Sequence, residues 1–182
     1  TDVLNGGKTD GRYVVNAPAL DLSGKTYAGL GTGSAPFTGR FDFLGCRLSG
    51  LSAPLFPSTQ GATVENLTVA DTDISFTKSG VAAYGLIVSS MKGGSLKNIS
   101  LSESVKLDVN LYTTNARLGG IVGKVEGGKK AVSLDGCVSY GTLVTDSDKI
   151  WMGGIAGSVN AAGAIVSGCI NYGSVTDNAI GY

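Results

Sequence analysis

Few side chains in this 182-residue sequence have the type and spacing to do chemistry. The close carboxylate pairs are Asp71-Thr-Asp73 and Asp146-Ser-Asp148; the aromatics of interest are Tyr140, Tyr172 and Trp151. Side chains alternate along an extended segment, so the two carboxylates of each pair fall on one face. Such a pair could ligate Ca²⁺ or divide the acid and base roles of glycoside cleavage. Neither pair is joined by the further Asp, Arg or Lys residues that a lyase or glycosidase groove needs, and solvated turns beside Thr and Ser account for both. Histidine is absent, which excludes a Ser-His-Asp triad, a Cys-His pair and any His-ligated zinc. No catalytic residue, resident metal or cofactor is therefore assigned, and Asp71, Asp73, Asp146 and Asp148 stand only as weak metal candidates.

The two tyrosines matter because they occupy equivalent places in a repeat. Gly119-Gly-Ile-Val-Gly-Lys-Val125 returns as Gly153-Gly-Ile-Ala-Gly-Ser-Val159, an offset of 34. Cys137-Val-Ser-Tyr-Gly-Thr-Leu-Val returns as Cys169-Ile-Asn-Tyr-Gly-Ser-Val, an offset of 32. If each repeat is one coil, Tyr140 and Tyr172 stack along the molecule. An aromatic row can offer flat apolar faces to sugar rings while its hydroxyls find polar partners; filling a corner of the fold is the ordinary alternative. Trp151 lies just before the second Gly-Gly landmark. Cys137 and Cys169 also fall one above the other. They read as small core residues, and a disulfide between them is geometrically possible.

The elements that must position these residues can be followed backwards. The run Tyr84-Gly-Leu-Ile-Val-Ser-Ser-Met-Lys-Gly-Gly94 is an earlier copy of the Gly119 landmark, and Leu55-Phe56 is the most degenerate copy. A second pattern, apolar, any residue, Gly or Asn, apolar, occurs at Leu48–Leu51, Val64–Leu67, Leu96–Ile99, Leu134–Cys137 and Val166–Cys169. Its starting positions differ by 16, 32, 38 and 32. The last three intervals are whole coils with varying turns; the first belongs to the transition out of a cap. The Gly or Asn predicts a positive φ, and Asn66 and Asn98 in neighbouring coils could then share amide hydrogen bonds. Both also match the glycosylation pattern, which a turn role makes unnecessary. A third strand recurs at Val105–Val109, Thr142–Thr145 and Ser174–Thr176.

Three short strands per coil predict an all-β, right-handed parallel β-helix, or β-solenoid, of about four to five coils with an N-terminal cap. At about 4.8 Å per coil its body is about 20 to 25 Å long. Residues 1–182 read as a single domain, with 1–35 as cap and lead-in and 36–182 as repeat coils. Twenty-nine glycines beside 42% hydrophobic residues fit short strands and tight turns rather than disorder. Lys plus Arg and Asp plus Glu each number 14, so charge gives no argument for nucleic acid as partner. No apolar run is long enough for a membrane-spanning helix, so no membrane insertion is expected, and the opening residues carry no signal-peptide pattern.

The Gly119 and Gly153 landmarks, the Gly-Cys-Val-Ser-Tyr-Gly and Gly-Cys-Ile-Asn-Tyr-Gly segments, and the upstream Leu20-Asp-Leu-Ser-Gly and Pro36-Phe-Thr-Gly-Arg-Phe-Asp together resemble bacterial surface proteins with GLUG-type repeats, adhesin-like proteins of gut Bacteroidetes. Phe43 departs from the pattern where a glycine is expected after Phe-Asp, and Ser89 replaces the closing glycine of the Tyr84 copy. The resemblance spans roughly Leu20 to Thr176. It implies a secreted or surface-anchored module of a longer protein, non-catalytic, acting in adhesion or as a structural scaffold. The alternative is a carbohydrate-binding or polysaccharide-degrading protein of the same fold. Expected partners are a glycan or a host or bacterial surface protein, with end-to-end self-association through an open solenoid end.

Overall fold

The computed structural model describes residues 2–179, in which one short helix, Asp2–Gly6, precedes a chain that is otherwise strands and turns. The strands stack in parallel into three sheets. The widest carries three long strands, Arg40–Ser49, Phe56–Ala70 and Val88–Leu101. It continues through the shorter sets Val122–Glu126, Val132–Asp135 and Val138–Ser139, then Ala156–Asn160, Ile165–Ser167 and Ile170–Asn171. The second sheet stacks Thr72–Lys78, Val105–Leu111, Thr142–Thr145 and Val175–Asp177; the third stacks Ala83–Gly85, Arg117–Gly119 and Trp151–Gly153. One pass through the three sheets is a coil, and about five coils form a β-solenoid.

The repeat offsets are the stacking register. Val88 pairs with Val122, which pairs with Ala156, and Leu96 pairs with Leu134, which pairs with Val166. The offset grows from 34 to 38 in one coil because five residues, 127–131, separate Glu126 from Val132 where Gly93 alone separates Lys92 from Gly94. Loop-closure cost rises slowly with length, so the stack tolerates the insertion. Inward positions alternate with outward ones. Val64, Leu96 and Leu134 form one buried column, and Leu67 and Ile99 form another that Cys137 continues. Between these columns Asn66, Asn98, Gly136 and Gly168 take φ of 61°, 51°, 61° and 57°, the left-handed turn that the sequence pattern predicts.

The first rung departs from that pattern. Leu48 does not align with Val64; it pairs with Val69, and Phe41 is the partner of Val64. A bulge between Asp42 and Cys46 sets this register, with three residues standing opposite Asn66 alone. Leu44 and Gly45 absorb the turn with φ of 51° and 81°, and Phe43 turns inward and is buried. The lead-in is itself part of the stack, since Arg12–Val14 and Ala19–Asp21 pair in parallel with Arg40–Ser49. Aromatic contacts close this end: Tyr13 stacks on Phe41 at 5.3 Å, and Phe37 on Phe56 at 5.2 Å. Leu4 of the helix is buried with them. At the opposite end, Ile165, Val166 and Ile170 are exposed, because the last rung has a neighbour on one side only among the described residues.

Candidate functional site

The corner joining the widest sheet to the second sheet carries the two tyrosines. The Tyr140 amide donates to the Leu101 carbonyl at 2.8 Å, and the Tyr172 amide donates to the Ser139 carbonyl at 2.7 Å. These bonds place Tyr140 beyond Ser102 and Tyr172 beyond Tyr140 along the rod. The rings stack with centroids 5.0 Å apart and planes 11° from parallel. Glycine follows each tyrosine because the backbones close tightly there: a Cβ on Gly173 would lie 1.9 Å from the Gly141 carbonyl oxygen. Tyr140 is 42% and Tyr172 63% exposed, so the pair projects into solvent and does not fill the corner.

The preceding coil has only Ser102 where this coil has Tyr140, and the change in size leaves a step. Beside it lies an open groove of about 480 Å³ lined by Arg47, Asp71, Ser100, Ser102, Glu103, Ser104 and Tyr140. Its polar groups hold one another in place. The Arg47 guanidinium meets the Asp71 carboxylate at 3.0 Å, the Ser102 and Ser104 hydroxyls are 2.9 Å apart, and the Asp71 amide donates to the Ser104 hydroxyl at 2.8 Å. Asp71 has φ 43°, an uncommon conformation for a non-glycine residue. The Ser104 hydroxyl, and after it Arg47, hold the Asp71 carboxyl below the ordinary carboxylate range. Asp71 is anionic at neutral pH.

The other sequence candidates lie elsewhere. Trp151 begins a strand of the third sheet, paired with Arg117, whose guanidinium lies 4.6 Å from the indole centroid. It sits at a different corner from the tyrosines. Asp73 faces outward on the second sheet beside buried Thr72. Asp146 and Asp148 flank buried Ser147, whose hydroxyl accepts from the Leu111 amide at 2.6 Å. In each pair both carboxylates are exposed on either side of a buried hydroxyl residue, although Asp71 lies in a left-handed turn and Asp146 and Asp148 follow the end of a strand. Among the described residues, no group of three or more His, Cys, Asp or Glu is placed to hold a metal ion.

Cys46, Cys137 and Cys169 are free thiols. Burial first, and then the neighbouring Cys169, push the Cys137 thiol up to about 12. Asn98 donates its amide to Asn66 at 3.0 Å, and Asn66 donates in turn to Asp42 at 2.9 Å. Both amide nitrogens of the glycosylation patterns are thus engaged in the turn column.

Sequence reasoning placed the tyrosine stack and missed the groove. Ser102 precedes Tyr140 by 38 residues, the same interval that separates Leu96 from Leu134, so the coil period contained its position. Arg47 was hidden by the bulged register of the first rung.

Fold and site together define a parallel β-solenoid with an exposed aromatic ledge and a hydroxyl-lined groove at one corner. Comparison with protein-family models, with curated proteins and with solved structures finds no match to this chain. Among the described residues, no helix is long and apolar enough to cross a membrane.

Proposed function

We propose that the chain is a non-catalytic, adhesin-like module exported to the bacterial surface, where a rigid solenoid presents the Tyr140–Tyr172 ledge to a glycan or surface protein. One observation carries the reading: two large aromatic rings are held parallel and in solvent on a glycine-tightened corner. A pure spacer gains nothing from aromatic faces in water, whereas exposed aromatics on a rigid frame are what a contact surface uses. The likeness of the Gly119 and Gly153 landmarks to GLUG-type repeats supports the surface location. The stacked coils favour a scaffold role as well, since a rod carries its contact face away from whatever anchors it. Polysaccharide cleavage is the weaker reading, because its two carboxylate pairs occupy opposite ends of the second-sheet strands instead of converging.

Beads coated with the 182-residue chain are expected to be retained on mucin and on epithelial or bacterial surfaces under washing, and the chain is expected to release no reducing ends from a polysaccharide panel. Beads that wash off every surface, or reducing ends that accumulate, would overturn the reading.

A further inference from the structure

The geometry points to a binding subsite for a neutral saccharide ring in the groove between Tyr140 and the Arg47–Asp71 pair; this rests on the adhesin-like reading and names its ligand class. Tyr172 occupies one face of Tyr140. The other face looks along the rod toward Ser102, where the chain carries a side chain too small to cover it, and forms the end wall of the groove. A pyranose standing on the Ser100 and Ser102 floor lays its apolar C–H face on that ring, and its hydroxyls reach the polar side. Backing by Tyr172 fixes the Tyr140 platform before the ligand arrives, which lowers the ordering cost of binding.

The polar groups suit a sugar in kind. Hydroxyls donate and accept together, and the groove offers donors from Arg47, acceptors from Asp71 and Glu103, and both from Ser102 and Ser104. Arg47 is paired with Asp71, and Ser104 is hydrogen-bonded to both Ser102 and the Asp71 amide, so these four residues are positioned in advance. A volume of about 480 Å³ falls within the range of small-ligand clefts. Charge sets the class: one guanidinium stands against two carboxylates, so an acidic sugar meets net repulsion and a neutral one does not. The neighbouring depression lined by Asp71, Asp73, Ser75 and Phe76 has an aromatic side chain and carboxylates but no cation. The one bounded by Asp10, Arg12, Arg40 and Lys130 has no aromatic wall, and the Trp151 indole is engaged by Arg117.

The 182-residue chain would be applied to an array of neutral and acidic oligosaccharides, and the strongest neutral hit titrated calorimetrically. Tyr140→Ala and Ser102→Trp are each expected to weaken binding at least about tenfold, the first by removing the platform and the second by filling the gap. Tyr172→Ala is expected to weaken it several-fold, and Trp151→Ala to leave it unchanged. Circular dichroism melts verify that each variant is folded; should Ser102→Trp unfold, the exposed Tyr140→Ala decides. Neutral hits insensitive to Tyr140→Ala, or hits confined to acidic glycans, would overturn the inference. Beads that adhere while the array shows no glycan would also overturn it and leave the adhesin-like reading standing, whereas beads that adhere to nothing would remove both.

Discussion

The left-handed turn column shows what single residues contribute. Asn66 and Asn98 hold φ of 61° and 51° and link their amides down to Asp42. Asparagine tolerates this backbone better than other residues with a Cβ, and β-branched residues tolerate it least. Asn98→Val is therefore expected to lower stability by about 1–2 kcal/mol, from lost hydrogen bonding and a strained turn. Asn98→Gly, as in the equivalent positions Gly136 and Gly168, is expected to cost less; urea denaturation of the three proteins makes the comparison. At the foot of the column the Asn66 amide, then the Leu44 amide and Arg40, hold the Asp42 carboxyl below its ordinary value of 3.8. A depressed folded-state value means that the contribution of ionised Asp42 is complete above the unfolded value and is lost as pH falls through the folded one. Wild type is expected to lose stability more steeply than Asp42→Asn below about pH 4, as read by thermal melts across an acid series.

At the scale of the element, the spacing between coils depends on close backbone approach where one coil passes into the next. Gly85, Gly119 and Gly153 are in register in the third sheet, and a Cβ on Gly119 would lie 1.9 Å from the Val122 carbonyl oxygen of its own corner and 2.8 Å from the Gly157 amide of the next coil. Backbone on that side cannot give way without opening the stack. Gly119→Ala is expected to cost about 3 kcal/mol, against about 0.5 kcal/mol or less for Gly33→Ala, where nothing lies within 4 Å. Melting temperatures of the two variants test this. The 127–131 turn behaves oppositely: it lengthens one coil by four residues without disturbing the pairing on either side. Insertions are accommodated in turns, and side chains are refused where backbones touch.

For the whole molecule, stability in a solenoid is a sum of coils and of contacts between neighbours. Val88–Leu101 has strands on both sides, whereas Ala156–Asn160 and Ile165–Ser167 have one neighbour among the described residues. Amides of the last rung are expected to exchange with deuterium faster than those of Val88–Leu101, and equal protection would contradict a neighbour-by-neighbour solenoid. The same rung exposes Ile165, Val166 and Ile170 beside an edge that has no partner among the described residues. Such edges recruit other strands. The 182-residue chain is expected to self-associate with rising concentration, and Val166→Lys to suppress this in sedimentation velocity.

The sequence by itself determined the period of the coils, the positive-φ column and the stacking of Tyr140 on Tyr172; of its three strands per coil, the first two share the widest sheet, as in the continuous Val88–Leu101, and the separate strand of the third sheet, Arg117–Gly119, was decided by the structure. In a solenoid equivalent repeat positions are spatial neighbours, so a one-dimensional offset translates directly into contact. Tertiary structure alone decided that Leu48 meets Val69, that the lead-in joins the stack, and that Arg47 crosses to Asp71 beside Ser102. The first and last of these placements depend on the Phe43–Gly45 bulge, where the pairing of Arg40–Ser49 with Phe56–Ala70 shifts register and the repeat does not carry across. The outward projection of the tyrosines belongs with them: a repeat places two rings one above the other, but the path of the backbone around the corner decides whether they face the core or water.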